Sequence, residues 1–406
     1  MTLKEELEIL RGEPIGVFEG DPMDIPCIET SNEEKLCKHP VVSVHMMTYN
    51  HEPYIRQAIE GVMMQKTDFE FELVIGEDAS TDKTREICFE YQKKYPDKIR
   101  VLWWYENLIK VKHPAGGNAN RTLAHCRGEF IAYCEGDDYW IDPLKLQKQV
   151  DVMRRFPSVG YCVTGAKVKC EVPRDHPRVK SYHILKWYDE CTFQFNMERY
   201  KPGLITQDDF MQNRSIAPRT ATVMVNRKKL IDLCRRFDIF QWRLRVGDKL
   251  LWQGFPFVSE AYYISDETAV YRLSDSGITF SKGNFRRNEK LYIDFNIIGY
   301  YFAAMRNDTV DMLWNKCSLL EKRITSVIDI EGRKADVLTI ISNPLFKDVI
   351  NLDRNFWFSY RMICLFGIRC KIATFRKWRS RIKSPIMSCF HLFKRYVKMV
   401  ISCFGI

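Results

Sequence analysis

Directly after the apolar run Phe130-Ile131-Ala132-Tyr133 come Cys134, Glu135, Gly136, Asp137 and Asp138, followed by Tyr139-Trp140. A short apolar run of this kind reads as a buried strand, and three carboxylates at its end repel one another unless a cation compensates them. That crowding suggests a divalent metal. Two more polar groups follow apolar runs: Thr48-Tyr49-Asn50 after residues 41–47, and Glu77-Asp78-Ala79-Ser80 after residues 71–75. Tyr49 offers an aromatic face that can stack on a base, and Asp78 an acceptor for an imide N–H such as uracil's. A nucleoside diphosphate would be repelled by bare carboxylates, whereas a Mn²⁺ or Mg²⁺ between them inverts the local sign. Simpler roles stay open: Asp137 and Asp138 as a turn before Pro143, Tyr49 as a strand-end aromatic, Asp78 as an Asx-turn residue.

These groups need a scaffold that brings them to one edge. After residues 41–47, Ile55, Ala58, Ile59, Val62 and Met63 recur at helical spacing. After residues 71–75, Ser80, Thr81 and Asp82 offer caps for a helix carrying Ile87, Cys88 and Tyr91. Residues 99–104 predict a third strand, residues near 118–126 a helix, and residues 130–134 a fourth strand. Such alternation predicts an α/β fold, a Rossmann-like, mostly parallel sheet flanked by helices, with ligands outside the carboxyl ends of its strands. Neither GxGxxG nor GxxxxGK[ST] is present, so neither a dinucleotide fingerprint nor a P-loop explains the convergence.

The chain has 406 residues and a formal net charge of +10. The charge is uneven: residues 351–406 hold twelve Lys/Arg against the single acid Asp353, leaving the first 350 residues at −1. The fourteen cysteines form no CxxC pair or Cys/His cluster of zinc spacing, which favours a reducing compartment. The start MTLKEELEIL is acidic and amphipathic rather than a secretory signal, and no apolar stretch approaches the roughly 18 to 20 residues that span a bilayer. A cytoplasmic protein is expected.

The strings VVSVHMMTYNHEPYI, VIGEDASTDKT and RGEFIAYCEGDDYWIDPLKLQKQ resemble, in order and separation, the amino-terminal half of family 2 glycosyltransferases, which have a GT-A fold. The resemblance runs from about Pro40 to about Phe280. It implies that Thr48, Tyr49 and Asn50, with Ser80 beside them, line the nucleoside pocket and that Asp78 bonds the base. It also implies that Glu135, Asp137 and Asp138 stand where the family has its DxD motif. Asp137 is then the direct metal ligand, Asp138 supports it, and Glu135 lies nearer the ribose. Asn120 falls where the family often has an asparagine, with helix capping as the alternative.

The acceptor half is looser. Residues 171–206 read as an insertion, and Thr220 to Val225 as an alternating strand followed by a short helix. Gly247-Asp248 then opens an apolar helical turn, where related enzymes carry a carboxylate base; Asp248 is the candidate, and Asp208-Asp209 the rival pair. Arg272, in Val270-Tyr271-Arg272-Leu273-Ser274, is within reach of a diphosphate in this reading, but Ser274 occupies the position where many relatives have histidine. The resemblance thus implies an inverting, metal-dependent transferase moving a sugar from a nucleotide-diphosphate donor, favoured as UDP-linked, to a glycan or lipid-linked acceptor in polysaccharide synthesis. The alternatives are a catalytically weak nucleotide-sugar-binding protein of the same fold and a nucleotidylyltransferase, whose Gly-rich basic signature is absent near Val41.

The expected divisions are an amino-terminal extension at 1–39, the GT-A domain at 40–285, a helical appendage at 286–350 and a basic tail at 351–406. In the tail, His391, Lys394, Arg395 and Lys398 oppose Phe390, Phe393, Val397 and Val400 on a helical wheel. This pattern suits an anionic membrane surface and a peripheral position on the inner face of the membrane. Nucleic acid is not an expected partner, because no nucleic-acid motif accompanies the charge.

Overall fold

The computed structural model describes residues 1–171, 192–195, 201–212, 218–244, 247–274 and 285–325, together with residue 340 and residues 343–346. In chain order the elements begin with α1 (Leu3–Arg11), β1 (Ile28–Thr30), β2 (Val42–Thr48), α2 (Ile55–Met63), β3 (Phe71–Glu77), α3 (Thr84–Lys94) and β4 (Ile99–Trp103). They continue with α4 (Leu108–Val111), α5 (Asn118–Ala124), β5 (Phe130–Tyr133), β6 (Tyr139–Trp140), α6 (Lys145–Arg155), β7 (Val159–Cys170), β8 (Thr192–Phe195), β9 (Gly203–Ile205) and α7 (Gln207–Gln212). The last are β10 (Val223–Asn226), α8 (Arg227–Arg236), α9 (Gly247–Gly254), β11 (Glu260–Leu273), α10 (Phe285–Met305) and α11 (Thr309–Thr325).

The strands form one mixed sheet in the order β1-β4-β3-β2-β5-β10-β7-β11-β6, with β8 beside β7 and β9 beside β11. One half, β4-β3-β2-β5, is parallel, as the β/α alternation predicts. β10 pairs antiparallel with both β5 and β7. The twelve-residue β7 and its parallel partner β11 form the far half, which periodicity did not predict over that length. The expected strand at Thr220 begins instead with a 3₁₀ turn, Thr220–Thr222.

Every residue of β3 is buried, as befits a strand covered on both faces. On one face Val44, Met46, Leu73, Ile75 and Val101 pack with Ile55, Ile59 and Val62 of α2 and with Trp140. Each such side chain contributes about 1.5–3 kcal/mol on full burial. Within the sheet lies a polar cluster. Ser43 Oγ donates to Glu72 Oε1 at 2.6 Å, Arg100 bridges Glu72 and Glu29, and Arg127 also reaches Glu72. Multiple partners satisfy the buried Glu72 carboxylate and Arg100 guanidinium, which would otherwise be costly to bury.

Residues 1–39 add β1 to the sheet edge, antiparallel to β4, and lay α1 against α10 and α11. Arg11 Nε donates to Asp294 Oδ1 at 2.8 Å, both side chains being buried, and Tyr300 donates to Glu6 at 2.6 Å. The chain divides into two compact units, Met1–Ser326 and Val327–Ile406. The second unit's described residues include a single 3₁₀ turn, Pro344–Phe346; the basic tail at 351–406 lies outside the described residues. No helix among the described residues is long and apolar enough to cross a membrane.

The seating of α2 under β6 depends on Gly61. Alanine normally improves a helix interior by about 1 kcal/mol over glycine, but a Cβ at Gly61 would stand 2.8 Å from the backbone N and 2.9 Å from the backbone O of Trp140. Backbone atoms cannot swing aside. Gly61→Ala is therefore expected to lower stability by about 1–3 kcal/mol, read as a lower urea midpoint; a raised midpoint would show that β6 can retreat freely.

Candidate active site

The site forms where β2, β3 and β5 end side by side. The loops after β2 and β3 interlace: Asn50 N–H donates to Ser80 Oγ at 3.0 Å, and Thr81 N–H donates to Asn50 Oδ1 at 2.8 Å. Further on, His51 N–H donates to Thr84 Oγ1 at 2.8 Å and Glu52 N–H to Asp82 Oδ2 at 3.0 Å. Asn50 (φ 54°) and Ala79 (φ 59°) both take the left-handed conformation that these tight turns demand. Asn50 and Ser80, expected to line the nucleoside pocket, are thus also the clasp between its two loops. Tyr49, beside them, is 38% exposed, as a stacking face must be.

Asp78 is buried, and both of its oxygens are engaged. Oδ2 accepts from Asn107 Nδ2 at 2.9 Å and Oδ1 from the Leu108 N–H at 2.8 Å, which pins the start of α4. Only its remaining lone pairs are left for a base. Burial raises its pKa, against the lowering effect of the Leu108 N–H and of Arg121. Asn120 sits on α5 with Nδ2 3.4 Å from the Ala115 carbonyl, a local contact. Its neighbours do more: Asn118 donates to the Gly76 carbonyl at 2.7 Å and Arg121 to the Glu77 carbonyl at 2.8 Å, tying α5 to the end of β3. Both are buried polar residues on one helical face, a pairing of i and i+3 that the sequence displays but that sequence reasoning passed over.

The acidic loop is an extension of β5 along β2. The β2–β5 register ends at His45 and Tyr133, yet Cys134 N–H still donates to His45 O and Gly136 N–H to Met47 O at 2.9 Å. This lays Gly136 on Thr48 and His51, so that a Cβ there would lie 2.8 Å from Thr48 Oγ1 and 2.9 Å from His51 Nδ1. Glu135 is half-buried, but its Oε2 is sealed from solvent without a hydrogen-bond partner, as are Thr48 Oγ1 and His51 Nδ1. Orphaned polar atoms lining one loop fit a site that awaits a ligand or cation.

Electrostatics link this loop to the far half of the sheet. Burial first, then the charge of Asp137 and more weakly that of Asp248, pushes the Glu135 carboxyl up to about 8. Asp248 lies in the first turn of α9, reached by solvent yet crowded by protein atoms, and burial raises its pKa while the Lys249 N–H and the charges of Lys249 and Arg219 oppose the rise. Glu135 therefore lies within electrostatic reach of both Asp137 and Asp248. The rival pair Asp208 and Asp209 is exposed on α7, with Asp209 bonded to Thr206.

Two expectations need correction. Asp138, expected as a second metal ligand, is buried, and its Oδ1 accepts the Arg272 N–H at 2.8 Å, which fastens the loop to β11. Arg272, expected on the diphosphate, keeps its guanidinium inside: Nη1 donates to the Asp137 carbonyl at 2.8 Å, Nη2 to Gln57, and the group lies over the rings of Tyr139 and Tyr54. Its side chain is 3% exposed, too closed to meet a substrate directly. Sequence reasoning also missed His51, whose Nε2 lies 4.0 Å from Asp137 Oδ2; adjacency to Asn50 was the available signal. Among the described residues, no three His, Cys, Asp or Glu side chains converge closely enough to hold a metal alone. Ser274 is buried just beyond β11.

The parallel half β4-β3-β2-β5, its flanking helices and the mixed far half make a GT-A fold. Residues 43–231 match the model of glycosyl transferase family 2. An uncharacterized protein of Mycobacterium tuberculosis is 38% identical over 246 residues, 61% of this chain and 62% of its own length. A Bacillus subtilis protein named as a teichuronic acid biosynthesis glycosyltransferase, TuaG, is 28% identical over 60% of this chain and 83% of its own. Among solved structures, residues 1–349 of S. aureus TarS in complex with UDP-GlcNAc superpose with a TM-score of 0.50 at 17% identity, over 74% of this chain and 79% of that one. The chain spans somewhat under two thirds of the length of its mycobacterial relative.

The raised pKa of Glu135 gives a stability test. Folded Glu135 keeps its proton to about pH 8, whereas an unperturbed glutamate loses it near 4.5. The folded state holds the extra proton between those values, so this group's contribution to stability falls as pH rises through that window. Glu135→Gln is expected to melt higher than the wild type at pH 8, with the difference closing by pH 5. Identical melting curves at pH 8 would mean that the carboxyl carries no burial penalty.

Proposed function

We propose that this protein is an inverting, metal-dependent glycosyltransferase, moving a sugar from a nucleotide-diphosphate donor, UDP-linked in the favoured reading, to a glycan or lipid-linked acceptor. What supports this is the acidic loop at the ends of β2 and β5, where Glu135 feels the charge of Asp137 beside it and that of Asp248, a carboxylate more than a hundred positions away in sequence. TuaG's name and the UDP-GlcNAc complex of TarS support a polysaccharide pathway and a uridine donor.

In this reading Tyr49 stacks on the base, the clasped loops of Asn50 and Ser80 shape the nucleoside pocket, and Glu135 takes the ribose side. Asp137 would hold a Mn²⁺ or Mg²⁺, a group the orphaned Glu135 Oε2 and its acidic surroundings fit. Such an ion, when bound, offsets the charge that grows on the departing diphosphate. Asp138 and Arg272 act from behind, fixing the loop to β11. Asp248 accepts the proton of the acceptor hydroxyl as that oxygen attacks the anomeric carbon. The bond from this carbon to the diphosphate breaks on the opposite face, and the diphosphate leaves with the electron pair. A carboxylate with a raised pKa suits this task better than a fully solvated one.

The basic tail at 351–406 is assigned to an anionic membrane surface on the cytoplasmic side, where a lipid-linked acceptor would reside. Screening nucleotide sugars for Mn²⁺-dependent UDP or GDP release identifies the donor. With that donor, Asp248→Asn is expected to bind within about twofold of the wild type while turnover falls by roughly 10²–10⁴. Full turnover would remove Asp248 as the base, and no release by the wild type with any donor would favour a binding protein of the same fold.

A further inference from the structure

His51 follows the proposed nucleoside-binding residues, yet its ring faces the acidic loop. Its position is fixed from two sides: its N–H is held by Thr84 Oγ1 at 2.8 Å, and Gly136 packs against its Nδ1. Tyr54 meets the ring at an angle of 67°, with centroids 6.4 Å apart. None of these contacts consumes a ring nitrogen in a hydrogen bond, and Nδ1 is buried without a partner. The other nitrogen, Nε2, stands 4.0 Å from Asp137 Oδ2.

That separation is too long for a hydrogen bond. It does fit two atoms that share an ion, since ligands bound at about 2.1 Å stand no more than about 4.2 Å apart. We propose that His51 Nε2 is a ligand of the divalent cation, paired with the carboxylate of Asp137 across the ion. This rests on the metal-dependent reading given above and adds an imidazole to a site that the acidic motif alone describes as all oxygen. Two protein ligands do not complete an octahedral shell, and no third His, Cys, Asp or Glu joins them closely among the described residues. Diphosphate oxygens and water would supply the rest, as is usual for Mg²⁺-type sites. Cation affinity should therefore rise when a nucleoside diphosphate is present.

Untagged full-length protein titrated with Mn²⁺ and followed by electron paramagnetic resonance, with and without UDP and GDP, tests this without any turnover. The wild type is expected to bind Mn²⁺ more tightly with one of these nucleotides, and its electron spin-echo modulation should show a directly bound imidazole nitrogen. His51→Ala should lose that nitrogen signal and bind Mn²⁺ at least tenfold more weakly, while Asp137→Asn should bind more weakly still. Absence of the nitrogen signal in the Mn²⁺-loaded wild type would overturn the assignment even if His51→Ala failed to fold. Retention of the signal and of affinity in a folded His51→Ala would overturn it too, leaving the metal-dependent reading intact. If the wild type bound no Mn²⁺ with either nucleotide, both would fall.

Discussion

The site depends on one close approach, that of Gly136 to the end of β2. Backbone hydrogen bonds from Cys134 and Gly136 carry the β2–β5 pairing past the last regular residue of β5, and only a residue without a side chain can lie so near Thr48 and His51. That contact sets where Glu135 and Asp137 point. It also decides how far the loop is buried, and hence how strongly Glu135 and Asp138 resist ionisation. Asp138 then turns inward to β11, so the loop is held at both ends by backbone donors: its own to β2, and that of Arg272 to Asp138.

The holding structure contains charges that a folding criterion alone would not select. Glu135 retains a buried oxygen with no partner, and Asp138 is pushed well above the ordinary carboxylate range by burial and by its acidic neighbours. Beneath them Lys145 is fully buried, its ammonium over the Trp140 ring and bonded to Gln149, with a pKa brought down to about 7 by desolvation. Local rules broken in one place while the surrounding core is well packed mark a functional region. The large apolar cluster on α2, β2, β3 and β4 supplies the stability that such a region lacks.

Much of the parallel half was legible in the sequence, because β2, β3, β4 and β5 are short apolar runs, each ended by polar residues and most followed by helical periodicity. The family resemblance added the GT-A class, which the fold bears out. Less legible was the direction in which polar side chains turn. Arg272 and Asp138 have the chemistry of ligands, but packing between β6 and β11 directs them into the protein, and no spacing rule announces that. Asn118 and Arg121 were overlooked for the converse reason: their burial follows from the approach of α5 to β3, a tertiary fact. The length of β7 and β11 was hidden because the pairing is between segments a hundred residues apart, interrupted by bulges and by charged positions such as Asp266 and Glu267.

The long reach of α1 bears on the order in which the molecule can be assembled. Arg11 waits for Asp294, a partner 283 positions later, and Lys249, next to Asp248, donates to the Phe295 carbonyl of α10 at 2.7 Å. During synthesis the parallel strands and their loops are complete long before either contact exists, and domains tend to fold as their segments emerge. Closing so distant a pair costs chain entropy that later contacts must recover. The parallel half of the sheet thus has all its parts early, whereas the half around Asp248 receives its final brace only when α10 has been made. A nascent chain in this sense has its acidic loop and clasped loops first and the surroundings of Asp248 last.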